Sequence, residues 1–339
     1  MITSVISGSI EARNAPGSIG VQMLVESHDL IIVGGGPAGL AAGLHASRMR
    51  LDTLLLERGA LGGQLLNTEL VEDYPGIPSI LGPNLAIAMT DHAKSFGLAI
   101  HEFEAVESIT ASSGGYHIHT LGADFFAPAL ILAAGGLPRK LNIPGEAEFA
   151  GRGVSYCAIC DGAFFKDAHL VVVGGGDAAL QEADFLTRYA AHVSILHRGD
   201  NFRAQPILVE QARANPKISF HFNASLLAIE GSDRVNAVRY TQLDSEHSLS
   251  VGGVFIFVGF LPNTHLAAHA DHDAGGYLLT SPNMRTSLRG LWAIGDLRVS
   301  PVRQISTAVA DGTVAAIDVA LYLRSLTASR APASTTVVG

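Results

Sequence analysis

One device occurs twice in this chain. A short apolar run, Leu30-Ile-Ile-Val33, leads into Gly34-x-Gly36-x-x-Gly39 and then into small and apolar residues at helical spacing. Much later, Leu170-Val-Val-Val173 leads into Gly174-x-Gly176-x-x-Ala179 and a helix of the same kind. A second apolar strand follows each time, Thr53–Glu57 and Val193–His197. Unbroken apolar runs of this length read as strands buried on both faces of a parallel sheet. In the glycine pattern the first Gly allows a tight turn and the second lets the backbone approach a pyrophosphate. The third position, Gly or Ala, lets the helix pack closely on the strand. The pyrophosphate then lies at a helix N-terminus, where free N–H groups and the dipole favour an anion. One such fingerprint is weak evidence. Two, each with its strand and helix, give an α/β fold with two Rossmann-like three-layer dinucleotide-binding domains.

The end of each second strand assigns the nucleotides. Glu57 suits ribose hydroxyls and repels a 2′-phosphate. At the same spacing in the second copy stands His197, then Arg198 and Arg203, a cationic cluster suited to a 2′-phosphate. The first site, with Gly34, Gly36, Pro37, Ala38, Gly39 and Glu57, is therefore expected to hold FAD. The second, with Gly174, Gly176, Asp177, Ala178, Ala179, His197, Arg198 and Arg203, is expected to hold NADP(H).

Both cysteines of the chain fall in Cys157-Ala-Ile-Cys160, followed by Asp161-Gly162. That spacing lets two sulfurs close a small ring, and beside two nucleotide sites it reads as a thiol–disulfide couple. A zinc site would want further Cys or His ligands, and no second cysteine pair exists. Asp161 is suited to move a proton to or from a thiolate; a capping or turn Asp is the alternative. Electrons then pass between nicotinamide and flavin, flavin and disulfide, and disulfide and an outside thiol or disulfide.

Composition removes other classes. Acidic residues outnumber basic ones, 31 to 22, for a net charge of −9, so nothing favours a nucleic-acid partner. Two cysteines cannot staple 339 residues, so the chain relies on its core. The apolar stretch from Leu30 to Ala46 is broken by Gly34-Gly-Gly-Pro37, and no membrane span is expected. Residues 1–27 lack a basic start and an apolar run, so they read as a flexible leader, and a cytoplasmic protein is expected. His265, His269, Asp271, His272 and Asp273 resemble a ligand set, but the Gly-bounded segment reads as a solvated loop, and no metal is expected.

The chain resembles the low-molecular-weight thioredoxin reductases from about residue 28 to 325. The matching segments are Gly62-Gly-Gln-Leu65, Glu72-Asp-Tyr-Pro-Gly76, Pro138–Glu146, Gly151–Gly162, His197-Arg198 with Phe202-Arg-Ala204, Pro262-Asn-Thr264, Ala293-Ile-Gly-Asp296 and Arg303-Gln304. The resemblance implies a discontinuous FAD domain, 28–139 plus 259–325. An inserted NADP(H) domain, 140–258, carries the cysteine pair, and 326–339 form a flexible tail. It adds Gly63, Gln64, Gly295, Asp296, Arg303 and Gln304 to the FAD site, and implies a homodimer. It also implies that the inserted domain rotates to offer the flavin either nicotinamide or disulfide; Gly135, Gly136 and Gly259 are candidate hinges, and ordinary tight turns are the alternative.

Three positions depart from the family pattern. Gly199 replaces the second arginine of His-Arg-Arg, Ala134 replaces the Thr of an Ala-Thr-Gly turn, and Ala163 begins the aromatic run after the cysteines one residue late. They leave two readings of the partner. A thioredoxin-like protein is reduced, or a small-molecule dithiol is oxidised to a disulfide with oxygen or NADP+ as acceptor. The latter resembles the dithiol oxidases of gliotoxin, holomycin and romidepsin biosynthesis.

Overall fold

The computed structural model describes residues 25–68 and 70–330. Two units of the same design carry the two fingerprints. In the first, five parallel strands run in the order Leu291–Ala293, Ala129–Leu132, Leu30–Val33, Thr53–Glu57, Ala99–Glu102. The apolar runs do not alternate because both faces are covered. Leu30, Ile32 and Leu55 pack towards the helices α1 (Pro37–Arg48), α2 (Gly82–Ser95) and α6 (Ile305–Arg330). Ile31, Val33, Leu54 and Leu56 pack instead on Tyr116, Ile118 and Phe125 of a four-stranded sheet.

The second unit repeats the plan. Its parallel strands run Val154–Ser155, Gly253–Phe257, His169–Gly174, His192–His197, Ile218–Phe222. The helices α4 (Asp177–Leu186) and α5 (Pro206–Ala214) cover one face, and an antiparallel sheet of Ala224–Gly231, Val235–Gln242 and Ser245–Ser250 covers the other. A one-turn helix, α3 (Ala158–Asp161), carries the second cysteine. The chain crosses between the units twice, and the crossings pair as antiparallel strands, Gly136–Pro138 with Phe260–Pro262.

Two boundaries differ from expectation. Val25–Ser27, read as leader, pairs with Asp124, Phe125 and Phe126 and adds an edge strand to the four-stranded sheet. The tail read from residue 326 begins as the last turn of α6, which runs to Arg330. The rest of both segments lies outside the described residues. The helix most apolar for its length is also α6, not the first glycine-rich segment: Ile305–Thr327 is long and apolar enough to cross a membrane. One face of it is buried, with Ala315, Ala316 and Val319 packed into the core shared with α1, while Val314, Ile317 and Leu321 on it are exposed. A Cβ on Gly312 would lie 2.3 Å from Ala38 O, so only glycine admits this close crossing.

Candidate functional site

A cavity of about 380 Å³ opens at the carboxyl ends of the first unit's strands. Gly34, Gly36, Pro37, Ala38, Glu57, Gly63, Gln64, Gly295, Asp296, Arg303 and Gln304 line it together. Gly39 stands behind them: a Cβ there would lie 1.9 Å from Gly34 O. Gly34 itself has φ +112° and would place a Cβ 2.4 Å from Ala133 O. Gly36 differs, because a Cβ there meets only Gly63 Cα, at 3.8 Å. The helix α1 begins at this point with Pro37 in its first turn, no acid and no side-chain cap, so its N–H groups are left to an incoming anion.

The acids of this cavity are held by the backbone around it. Glu57 Oε2 accepts from Gly35 N at 2.6 Å and Oε1 from Gly59 N at 2.9 Å. An ionised carboxylate has about four acceptor sites, so two remain for hydroxyls. Burial pushes the Asp296 carboxyl above its usual range, against the pull of the nearby Arg303 charge. Behind Asp296, buried Asp311 accepts from Gly295 N at 3.0 Å and from Arg298 Nε and Nη2 at 2.6 and 2.7 Å. Sequence reasoning missed Asp311 and Arg298; an acid inside an otherwise apolar helix was the available signal. Arg303 lies 4.2 Å over the Tyr277 ring, and Tyr277 Oη donates to Phe260 O of the linker at 3.3 Å.

The second fingerprint is brought to the same cavity in part. Asp177, Ala178, Gln181 and Gln205 complete its wall. Asp177 is held by Gln205, whose N and Nε2 donate to its two oxygens at 2.7 and 3.0 Å. Gly174, Gly176, Ala179, His197, Arg198 and Arg203 lie outside the wall. A Cβ on Gly176 meets nothing within 4 Å, while one on Gly174 would be 2.7 Å from the Ala179 methyl. Arg198 and Arg203 are exposed, and Arg203 N donates to Gly175 O at 2.8 Å.

His197 is not exposed beside them. Its ring is buried against Phe202, its Nε2 pairs with Asn201 O at 2.9 Å, and a Cβ on Gly175 would lie 2.3 Å from its Nδ1. It packs into the turn. Gly199 is part of this packing: a Cβ there would lie 2.9 Å from His197 Nε2. The cation missing at residue 199 is thus tied to the seat of the imidazole.

Cys157 and Cys160 form a disulfide. Cys157 precedes α3 and its Sγ accepts from Cys160 N at 3.2 Å; Ser155 Oγ accepts from Cys157 N and donates to Cys157 O, both at 3.1 Å. Tyr156 Oη donates to buried Glu146 Oε1 at 2.7 Å, and burial followed by that carboxylate pushes the phenol well up. Glu146 also accepts from Leu141 N and Asn142 N at 2.9 and 2.5 Å, which ties the segment after the first crossing to the residue before Cys157. This positioning network was not read from sequence, because its carboxylate is recognisable only by burial. Asp161 makes no capping bond to the turn Gly162–Phe165. Phe164 is 80% exposed beside the pair, whereas Phe165 packs on Phe255.

The disulfide is not in the cavity wall, and it faces the turn Gly63–Asn67 on its outer side. In the histidine-rich segment Asp273 Oδ1 accepts from Gly275 N and Tyr277 N at 2.8 and 2.9 Å, shaping a turn. Among the described residues no group of three or more His, Cys, Asp or Glu is placed to hold a metal.

Comparison with known proteins agrees with this arrangement. A family model described as pyridine nucleotide-disulphide oxidoreductase matches residues 28–312. The thioredoxin reductase of Bacillus subtilis is 44% identical over 304 residues, covering 88% of this chain and 96% of that one. The crystal structure of Lactococcus lactis thioredoxin reductase in the FR conformation is 39% identical, covers 88% and 99% of the two chains, and has a TM-score of 0.86. That of Streptococcus pyogenes thioredoxin reductase is 41% identical at the same coverages, with a TM-score of 0.59.

Proposed function

The chain belongs to the pyridine nucleotide-disulphide oxidoreductase family, and on that premise we propose that it passes electrons from NADP(H) through FAD to Cys157–Cys160 and on to a thioredoxin-like protein. It is an oxidoreductase acting on sulfur groups; the carriers and partner are the proposed part. The observation that carries the proposal is that Asp177 and Ala178 of the second fingerprint line the cavity of the first, with the cysteine pair just outside it. Relatives named thioredoxin reductases favour reduction of a protein disulfide over oxidation of a small dithiol.

Bound FAD supplies a two-electron relay between nicotinamide and disulfide. The chain's residues would bind and aim it. Gly36 leaves room for the pyrophosphate at the N-terminus of α1, and the two open acceptor sites of Glu57 suit ribose hydroxyls. Asp296, next to Gly295 whose N–H donates to Asp311, would meet the ribityl–phosphate stretch, and Arg303, Gln304, Gly63 and Gln64 would line the place of the ring system. In the inserted unit, Gly176 gives the same clearance to a second pyrophosphate, and Arg198 and Arg203 offer exposed donors to a 2′-phosphate. Cys157 would exchange with the outside disulfide, Cys160 would be the cysteine on the flavin side, and Asp161 would hold the proton released or taken up by a thiol.

Cysteines and nicotinamide ride on one inserted domain, 140–258, and reach one flavin in 28–139 plus 259–325 by turns. Rotation about the paired crossings is supported by Gly135 (φ +58°) and Gly259 (φ +105°), where a Cβ meets nothing within 4 Å. The TM-scores of 0.86 and 0.59 at similar identity and equal coverage are what a different placement of like domains gives. A cytoplasmic homodimer completes the reading.

Anaerobic titration tests it. NADPH bleaches the flavin, and oxidised thioredoxin restores the colour in wild type but not in Cys157→Ser. A flavin that NADPH leaves oxidised, or equal recovery in Cys157→Ser, refutes the electron path.

A further inference from the structure

The disulfide has a neighbour from the other unit. Asn67 ends the turn Gly63–Asn67, and its Oδ1 lies 3.5 Å from Cys157 Sγ and 3.7 Å from Cys160 Sγ. Its Nδ2 donates to Gln64 Oε1 at 3.4 Å, and Gln64 Nε2 donates to Gly136 O, in the first crossing, at 3.4 Å. Polar groups therefore run from the two sulfurs, through a residue of the cavity wall, to the linker. The turn and the one-turn helix α3 meet here although they belong to different units.

The chemistry of this contact depends on redox state. In the disulfide neither sulfur carries a proton, so Asn67 Oδ1 receives no hydrogen bond from either. Reduction by a dithiol breaks the Sγ–Sγ bond, delivers two electrons and two protons, and leaves two S–H groups, while the dithiol becomes a disulfide. A thiol is a weak donor, and an S–H on either cysteine then points at an amide oxygen already within reach. A neutral hydrogen bond at an exposed residue changes an equilibrium about two- to tenfold.

We propose that Asn67 is a positioning residue that holds the dithiol form of Cys157/Cys160 more tightly than the disulfide, and so retains the inserted unit in the arrangement seen here once the pair is reduced. This rests on the reading of Cys157 and Cys160 as the redox pair. The arrangement presents Asp177 and Ala178 to the cavity and leaves Cys160 exposed. Reduction thus favours the arrangement in which Asp177 and Ala178 line the cavity and Cys160 is exposed. By linkage, whatever favours the reduced form in this arrangement also raises the potential of the pair.

The experiment equilibrates the holoenzyme with dithiothreitol redox buffers, traps free thiols by alkylation and counts them by mass. Asn67→Ala is expected to titrate at a more negative potential, with the dithiol-to-disulfide ratio lowered about two- to tenfold; tenfold is about 30 mV for a two-electron couple. Asn67→Asp keeps an acceptor oxygen but sets a negative charge against a thiolate, so the pH midpoint of alkylation rises in this variant and not in Asn67→Ala. Flavin absorbance in both variants reports that the fold and cofactor site are intact. Wild-type potentials in Asn67→Ala, or an unmoved alkylation midpoint in Asn67→Asp, overturn the proposal. A wild-type pair that never titrates overturns instead the redox reading on which it stands.

Discussion

Gly36→Val separates what the fold needs from what the cofactor needs. Gly36 has φ −76°, a conformation open to any residue, and a Cβ there meets only Gly63 Cα at 3.8 Å. Two small effects on stability oppose each other. Valine restricts the unfolded chain, a gain of about 0.4–1 kcal/mol, and is a poorer N-cap than glycine, a loss of about 0.5–1 kcal/mol. The apoprotein should therefore melt within a few degrees of wild type. The cavity is another matter, because the new methyl groups occupy the space where a pyrophosphate would meet the N–H groups of α1. Each charge-assisted hydrogen bond lost is worth about 1.5–3 kcal/mol, or about 10- to 150-fold in FAD affinity at roughly 1.4 kcal/mol per decade. The assay titrates FAD into apoprotein by flavin fluorescence and records the melting of the same samples by circular dichroism. Gly34→Val is the contrast: its φ of +112° and a Cβ 2.4 Å from Ala133 O should block folding itself. If Gly36→Val binds FAD within twofold of wild type, the assignment of the cavity is wrong.

Arg198→Ala and Arg203→Ala should each weaken NADPH about tenfold and leave NADH unchanged, since each removes one exposed contact to a 2′-phosphate; equal losses for both nucleotides in equilibrium binding would place these arginines elsewhere. His169 is expected to make the inserted unit acid-sensitive. Burial, then the charges of His192 and His221, lower its pKa below 6.5, its Nε2 pairs with Ser194 Oγ at 2.9 Å, and the His192 ring lies 5.0 Å away. As pH falls through 6.5 the unfolded chain takes up this proton before the folded one, so stability present above that pH is lost on acidification. His169→Gln should flatten the urea midpoint between pH 7 and 5, and an unchanged slope would assign the acid sensitivity to another group.

The parts legible in sequence were those whose physics is local. A strand, a glycine turn and a helix lie within a few residues of one another, and each glycine answers a backbone demand that can be read from spacing. Glu57 was legible for the same reason, because it ends a strand at a turn; Asp296 entered only through the family resemblance. Asp311, Glu146 and Tyr156 were not, because what matters about them is burial and a partner brought from far along the chain: Asp311 grips Gly295 and Arg298, and Glu146 grips Tyr156. The burial of His197 was not legible, because residue type and spacing carry no information on which way a ring turns. Val25–Ser27 carried too little apolar pattern to register as a strand; its partner, Asp124–Ala127, recruits it.

The placement of the two units was the least legible feature, and its energetics explain why. Each unit has its own buried sheet and cores, whereas the crossings are held to the first unit by single bonds such as Gln64 to Gly136 at 3.4 Å and Tyr277 to Phe260 at 3.3 Å. Asn67 adds contacts to two sulfurs that have no proton to donate. Bonds of this kind contribute about 0.5–1.5 kcal/mol each, a small sum beside burial of a single large core side chain at about 1.5–3 kcal/mol. Local patterns in the sequence specify each unit more strongly than these few bonds specify the angle between them. On the proposed electron path, a chain that brings first a nucleotide and then a disulfide to one cavity needs that inequality. Strong ties would trap one half of the reaction, and weaker cores would let the fingerprints lose the geometry that binds either nucleotide.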